Sequence, residues 1–222
     1  MGGHNQDFAM LELFITAFVT FFVAIDPPGV APIFAALTEG SPKKHRREMA
    51  IKSVLTAAGV LLGFALGGRW LLDAMHISMD AFRAAGGVLL FLMALEMIFE
   101  KRTERREERA DRISDEDESI SGTLEDISVF PMAIPMMAGP GAIASIMLFM
   151  SQTSSAWEQG VVLAGAGLNL LICLIVFLLI GPVMRFIGDS MAAMITRILG
   201  VILAALATQF IFDGIRGAFM GG

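Results

Sequence analysis

One cysteine, Cys173, and three histidines are all the thiolate and imidazole metal donors in this chain of 222 residues. A disulfide within the chain is therefore impossible, and a thiolate metal site has no ligand set. The histidines, His4, His45 and His76, fall outside the long apolar runs and keep no metal-ligand spacing. No nucleophile lies beside a base in the pattern that covalent catalysis needs, so no catalytic residue, no metal, no cofactor and no enzyme activity are expected. Charge is scarce too, at 17% of residues, and the formal net charge of −6 comes from one acidic segment. That segment says little about partners, and no nucleic-acid partner is expected. The first ten residues hold no Lys or Arg, and the apolar run behind them far exceeds a signal-peptide core of about 7 to 15 residues. The run reads as a retained span.

What the chain has is apolar length. Hydrophobic residues make up 55% of it and the mean hydropathy is +0.70, against roughly 45 to 50% in soluble domains. A hydrocarbon layer of about 30 Å needs about 20 apolar residues per helix. Six stretches qualify: 11–37, 49–72, 82–99, 128–150, 160–184 and 196–212. They are continuous rather than alternating, which argues against strands of an outer-membrane barrel. With the N-terminus outside, thirteen of the sixteen Lys and Arg residues fall on inner connections, leaving only Arg69, Arg83 and Arg216 outside. Basic residues are retained on the cytoplasmic side, so both termini are expected outside; Trp70 and Trp157 then fall at the outer interface, where indoles prefer to sit.

The connection 101–126 mixes six basic with ten acidic residues and has almost no large apolar side chains. It reads as a solvated tether between membrane halves, with a regulatory tail as the other reading. The chain thus divides into a first three-helix unit (1–100), a charged cytoplasmic linker (101–127) and a second unit (128–222).

The halves echo each other. Pro28-Gly29 pairs with Pro140-Gly141; Arg83-Ala84-Ala85-Gly86 begins 54 residues after Gly29, and Arg197-Ile198-Leu199-Gly200 begins 56 residues after Gly141. Three spans separate matching elements, so the second copy crosses the membrane upside down. The expectation is an all-α polytopic membrane protein of six transmembrane helices in two inverted repeats, the architecture in which broken helices meet near the midplane around substrate.

Two proline-glycine clusters would break the first and fourth helices. In Asp26-Pro27-Pro28-Gly29-Val30-Ala31-Pro32, consecutive prolines remove donors and clash with the preceding turn. In Pro135-Met136-Met137-Ala138-Gly139-Pro140-Gly141, glycines open positive φ as a way to break. The half-helices beyond the breaks would offer amides and a positive dipole end to an anion such as an amino-acid carboxylate, while nearby carbonyls hold an ammonium or cation. A packing kink is the bland alternative. Asp26, at mid-span, costs about 2.5 to 3.5 kcal/mol even on a lenient insertion scale. It reads as a proton carrier, a cation partner or a helix cap, and these roles are compatible. Ser145, Asn169 and Gln209 fall at useful depths, with interhelical hydrogen bonding as their ordinary role. The candidate substrate-binding set is Asp26, Pro27, Pro28, Gly29, Ala138, Gly139, Pro140, Gly141, Ser145, Asn169 and Gln209.

Several of these blocks together resemble the MarC family: Ala24-Ile25-Asp26-Pro27-Pro28-Gly29 with Pro32-Ile33-Phe34, His76-Ile77-Ser78 with Arg83 to Gly87, Ile134-Pro135, Ala138 to Ala144, Arg197 to Gly200, Gln209-Phe210-Ile211 and Gly214-Ile215. The resemblance spans almost the whole chain, the acidic-basic linker least. It implies six spans in a bacterial inner membrane and a group also called the neutral amino acid transporter family. Some relatives look like proton-driven transporters of glycine and alanine. The expected partners are then a small solute, membrane lipids and protons, with a homo-oligomer left open. A non-transporting scaffold or envelope-stress protein is the alternative.

Overall fold

The computed structural model describes residues 2–99, 128–153 and 155–220, so the charged linker lies outside the described residues. Among those described are eight helices: α1 (Gly2–Ile25), α2 (Pro27–Leu37), α3 (Lys43–Ala74), α4 (Met79–Ile98), α5 (Ser128–Met137), α6 (Pro140–Gln152), α7 (Ala156–Leu178) and α8 (Ile180–Met220). Five stretches are long and apolar enough to cross a bilayer: α1 continued by α2, then α3, α4, α7 and the part of α8 from Ser190 to Phe219. The apolar α6 has only 13 residues, so a sixth crossing takes α5 and α6 end to end. Leu66, Phe186 and Phe219 are 74%, 93% and 85% exposed, an apolar exterior that hydrocarbon accommodates and water does not.

Short polar signals fix where the helices turn. His76 takes the left-handed conformation (φ 57°) after α3; its amide reaches the Asp73 carbonyl at 3.1 Å and that of Ile77 reaches Leu72 at 2.9 Å. This is a Schellman cap with His in the place glycine usually takes. Ser78 then caps α4 by accepting from the Ala81 amide, and Ser155 with Glu158 forms a reciprocal capping box on α7.

Close contacts give the helix directions. Gly165 of α7 lies on Ala17 and Phe18, and further along the same pair of spans Phe177 stacks on Phe34 at 4.3 Å between ring centroids. So α7 runs parallel to α1 and α2. Gly86 meets Leu148 while Gly141 meets Met93, which makes α4 and α6 antiparallel. Gly87 lies on Ala207 and Ile211, and Gly200 on Ala94, Met97 and Ile98, so α4 and α8 are antiparallel as well.

The packing pattern survives exchange of the halves. Helix α1 packs on α7 as α5 packs on α3, and α2 packs on α8 as α6 packs on α4; α4 with α8 and α3 with α7 map onto themselves. That is an all-helical bundle of two inverted three-span repeats with the first and fourth spans broken. Nearly all of this packing joins one half to the other.

Two sequence expectations shift. The fifth span was placed at 160–184 and the sixth at 196–212, whereas α7 ends at Leu178 and α8 begins at Ile180 and runs 41 residues, about 60 Å at 1.5 Å per residue. Arg185 and Asp189 interrupt the hydropathy but not the backbone ladder. Pro182 stands in the first turn of α8, where a missing amide leaves no bond unmade.

Candidate functional site

The two breaks are made differently. At the first, Asp26 turns left-handed (φ 59°, ψ 64°) while its amide still closes α1 on the Phe22 carbonyl at 2.9 Å and its carbonyl opens α2 by accepting from Val30 at 3.0 Å. The first three amides of a helix have no partner within it. Here Pro27 and Pro28 have none to offer, and the third, from Gly29, donates to Asp26 Oδ1 at 3.2 Å. A side chain on Gly29 would collide with that carboxylate. The N-terminus of α2 is thereby closed by its own cap.

At the second, α5 is a π-helix, and the Ala138 amide reaches back five residues to the Ala133 carbonyl at 2.8 Å. A segment whose sequence holds two prolines cannot complete the regular α-helical ladder, since neither has an amide to donate. Gly139 is extended (φ −74°, ψ 173°), as a residue before proline should be. The glycines here were expected to supply positive φ; they do not, and the left-handed residue is Asp26. No side chain caps α6. Its Pro140 lacks an amide, so the Gly141 and Ala142 amides form an uncapped N-terminus. Both half-helices were expected to present amides to an anion; the Gly29 amide of α2 is taken by its own cap, and only α6 is without a side-chain cap.

Asp26 is 1% exposed, and Thr196 of α8 donates its hydroxyl to Asp26 Oδ1 at 3.1 Å. Sequence reading did not single out Thr196; its place just before the repeated Arg197-Ile198-Leu199-Gly200 block was the one available signal. The second break lies instead on α4, with Met93 and Leu90 over Gly141. Each break thus faces the third span of the opposite half. The broken spans also touch each other: α1 meets both α5 and α6, and α2 meets α5. Phe21 and Phe149 join α1 to α6 with ring centroids 5.8 Å apart, and Phe210 of α8 meets Phe149 edge-on.

The remaining candidates separate. Pro27, Gly29, Ala138, Gly141 and Ser145 are buried with their breaks, Pro28 and Gly139 are half-buried, and Pro140 is exposed. Ser145 donates to the Gly141 carbonyl at 2.8 Å. Asn169 is fully buried on α7, where Nδ2 donates to the carbonyls of Phe18 (3.0 Å) and Gly165 (2.9 Å); its Oδ1 has no hydrogen-bond partner. Gln209 does not join the group. It lies on the exposed face of α8 and donates to Asp213 at 3.0 Å, one turn along its own helix.

Comparison with known proteins agrees with this architecture. A family model described as "MarC family integral membrane protein" matches residues 11–219. A UPF0056 membrane protein of Methanocaldococcus jannaschii is 37% identical over 210 residues, 95% of this chain and 99% of that protein. One from Pyrococcus abyssi is 35% identical, covering 95% and 98%, and the UPF0056 membrane protein YhcE of Escherichia coli is 31% identical, covering 97% and 98%. No solved structure matches the chain.

Proposed function

This chain belongs to the MarC family of integral membrane proteins, and from that premise we propose that it is a secondary transporter of small neutral amino acids, driven by protons. The observation that carries the reading is the unequal chemistry of the two breaks. One holds a buried carboxylate, Asp26, whose helix amides are already used. The other presents the uncapped amides of α6. A zwitterion matches that pair: its ammonium pairs with Asp26, and its carboxylate sits at the positive end of α6. Irregular backbone inside a membrane persists where it is buried in protein or lines a cavity, which is the usual place of a transporter's substrate. Met93 and Leu90 crowd Gly141 and aromatic rings wall the neighbouring spans, which favours a substrate with a small side chain such as glycine or alanine. In this reading the membrane is the bacterial inner membrane, both termini face the periplasm, and Asp26 takes up the coupling proton when no ammonium is bound.

The test is uptake by the purified protein in liposomes. Radiolabelled glycine or alanine should accumulate, and an imposed proton gradient should raise the rate, while an acidic amino acid such as glutamate should not compete. Folded, correctly inserted protein that moves none of these solutes with or without the gradient would remove the transport reading in favour of a scaffold.

A further inference from the structure

A cavity of about 150 Å³ lies between α3, α4, α6 and α7, away from both breaks, with Phe64, Arg69, Met79, Met147, Ser151 and Gln159 in its lining. That is many times the space of about 10 to 15 Å³ that admits one water. Its walls are of two kinds. Arg69 and Gln159 supply hydrogen-bond donors, the Ser151 hydroxyl is given to the Leu148 carbonyl at 2.6 Å, and thioethers and an aromatic ring line the rest. Among the described residues Arg69 forms no ion pair, so its guanidinium is available for an oxyanion.

Two further observations bear on where this cavity leads. Trp70 and Trp157, next to Arg69 and two residues before Gln159, are 74% and 72% exposed. They mark the level of a membrane interface, so the mouth opens near the headgroups. At the floor, Met147 sits against Gly68, with its Cγ and Cε only 2.8 and 2.9 Å from where a Cβ would stand. Met147 follows Gly141 by six residues of the same helix, about 9 Å along its axis. A flexible thioether therefore separates the cavity from the uncapped end of α6.

We propose that this cavity is a vestibule where Arg69 and Gln159 take the carboxylate of a small amino acid before it passes Met147 to the breaks. The inference rests on the transport reading for its solute. The shared chemistry is an oxyanion, which a lipid phosphate also offers, and the experiment separates the two sources.

In a Cys173→Ser background, Ser151→Cys and, separately, Gln159→Cys are labelled with a charged methanethiosulfonate in uncharged detergent and in vesicles with and without phosphatidylglycerol. Both cysteines should react in the folded protein. Alanine should slow labelling of Ser151→Cys at least threefold, ethylamine should not, and Arg69→Gln should abolish the protection while leaving the melting temperature unchanged. Unreactive cysteines in folded protein, equal protection by ethylamine, or protection that persists in Arg69→Gln would overturn the proposal. So would protection seen only with phosphatidylglycerol, which would make the site a lipid contact. Alanine protection without any liposome uptake would keep the oxyanion site and reject transport instead.

Discussion

At Asp26 a backbone, a cap and a charge are combined in one residue, and substitutions can take them apart. An L-residue in the left-handed region costs about 1 to 2 kcal/mol, least for Asn and Asp, and a lost N-cap costs about 1. Asp26→Asn keeps the shape, the tolerance of positive φ and an oxygen for the Gly29 amide and the Thr196 hydroxyl. It should therefore melt within a few degrees of the wild type in detergent and yet lose at least tenfold in amino-acid uptake; unaltered uptake would reduce Asp26 to a cap. Asp26→Ala loses the cap and the preference for αL together, and should be destabilised by about 2 kcal/mol. Asp26 was legible in the sequence because a carboxylate ahead of two prolines in an apolar run has few physical outcomes. Its partner was not. Thr20, Thr38 and Thr208 each donate to the carbonyl four residues back in their own helix, and nothing local shows that Thr196 instead reaches a residue 170 positions away. Thr196→Val should cost about 0.6 kcal/mol, at most about 1.7, the range of interhelical hydrogen bonds in membranes, measured by thermal melts beside Asp26→Asn.

Helices in this bundle are held by how closely their backbones approach, and glycines mark the points. A Cβ on Gly214 would stand 2.5 Å from the Ala84 amide nitrogen and 2.7 Å from the Asp80 carbonyl oxygen, and one on Gly87 would stand 2.8 Å from the Ile211 amide. Backbone cannot swing aside as a side chain can. Gly214→Ala should destabilise the protein by about 1 to 3 kcal/mol through overpacking, read from denaturant titration in detergent. Gly63→Ala, where a Cβ meets nothing within 4 Å, should be neutral or stabilising by up to about 1 kcal/mol. Equal losses at both positions would refute close approach as the reason for glycine in α4 and α8. The sequence showed these glycines and the spans carrying them, since apolar length is a local property. It could not show the winding of α5, because the same prolines are compatible with a kink, a break or a π-helix until the packing of α3, α1 and α2 on that segment selects one. Nor could it place the start of α8, where hydropathy falls at Arg185 while the helix continues.

On the scale of the whole molecule, the halves are interlocked instead of side by side. Helix α4 has its main partner in α8, α1 in α7, and α3 in α5, α7 and α6. A half expressed alone would leave these faces to lipid and would turn Asp26 away from Thr196, at a cost of about 2.5 to 3.5 kcal/mol for a carboxylate in hydrocarbon. Two copies of the first half could imitate the fold only by inserting in opposite orientations. The basic cluster from Lys43 to Lys52 opposes this, because it anchors every copy to the same side. Residues 1–100 and 128–222 made separately should therefore fail to accumulate, whereas the same two chains made together should co-purify and take up alanine in liposomes. A stable, monodisperse first half on its own would show that its packing is self-contained, and the exchange of partners between the repeats would then not be what holds this protein together.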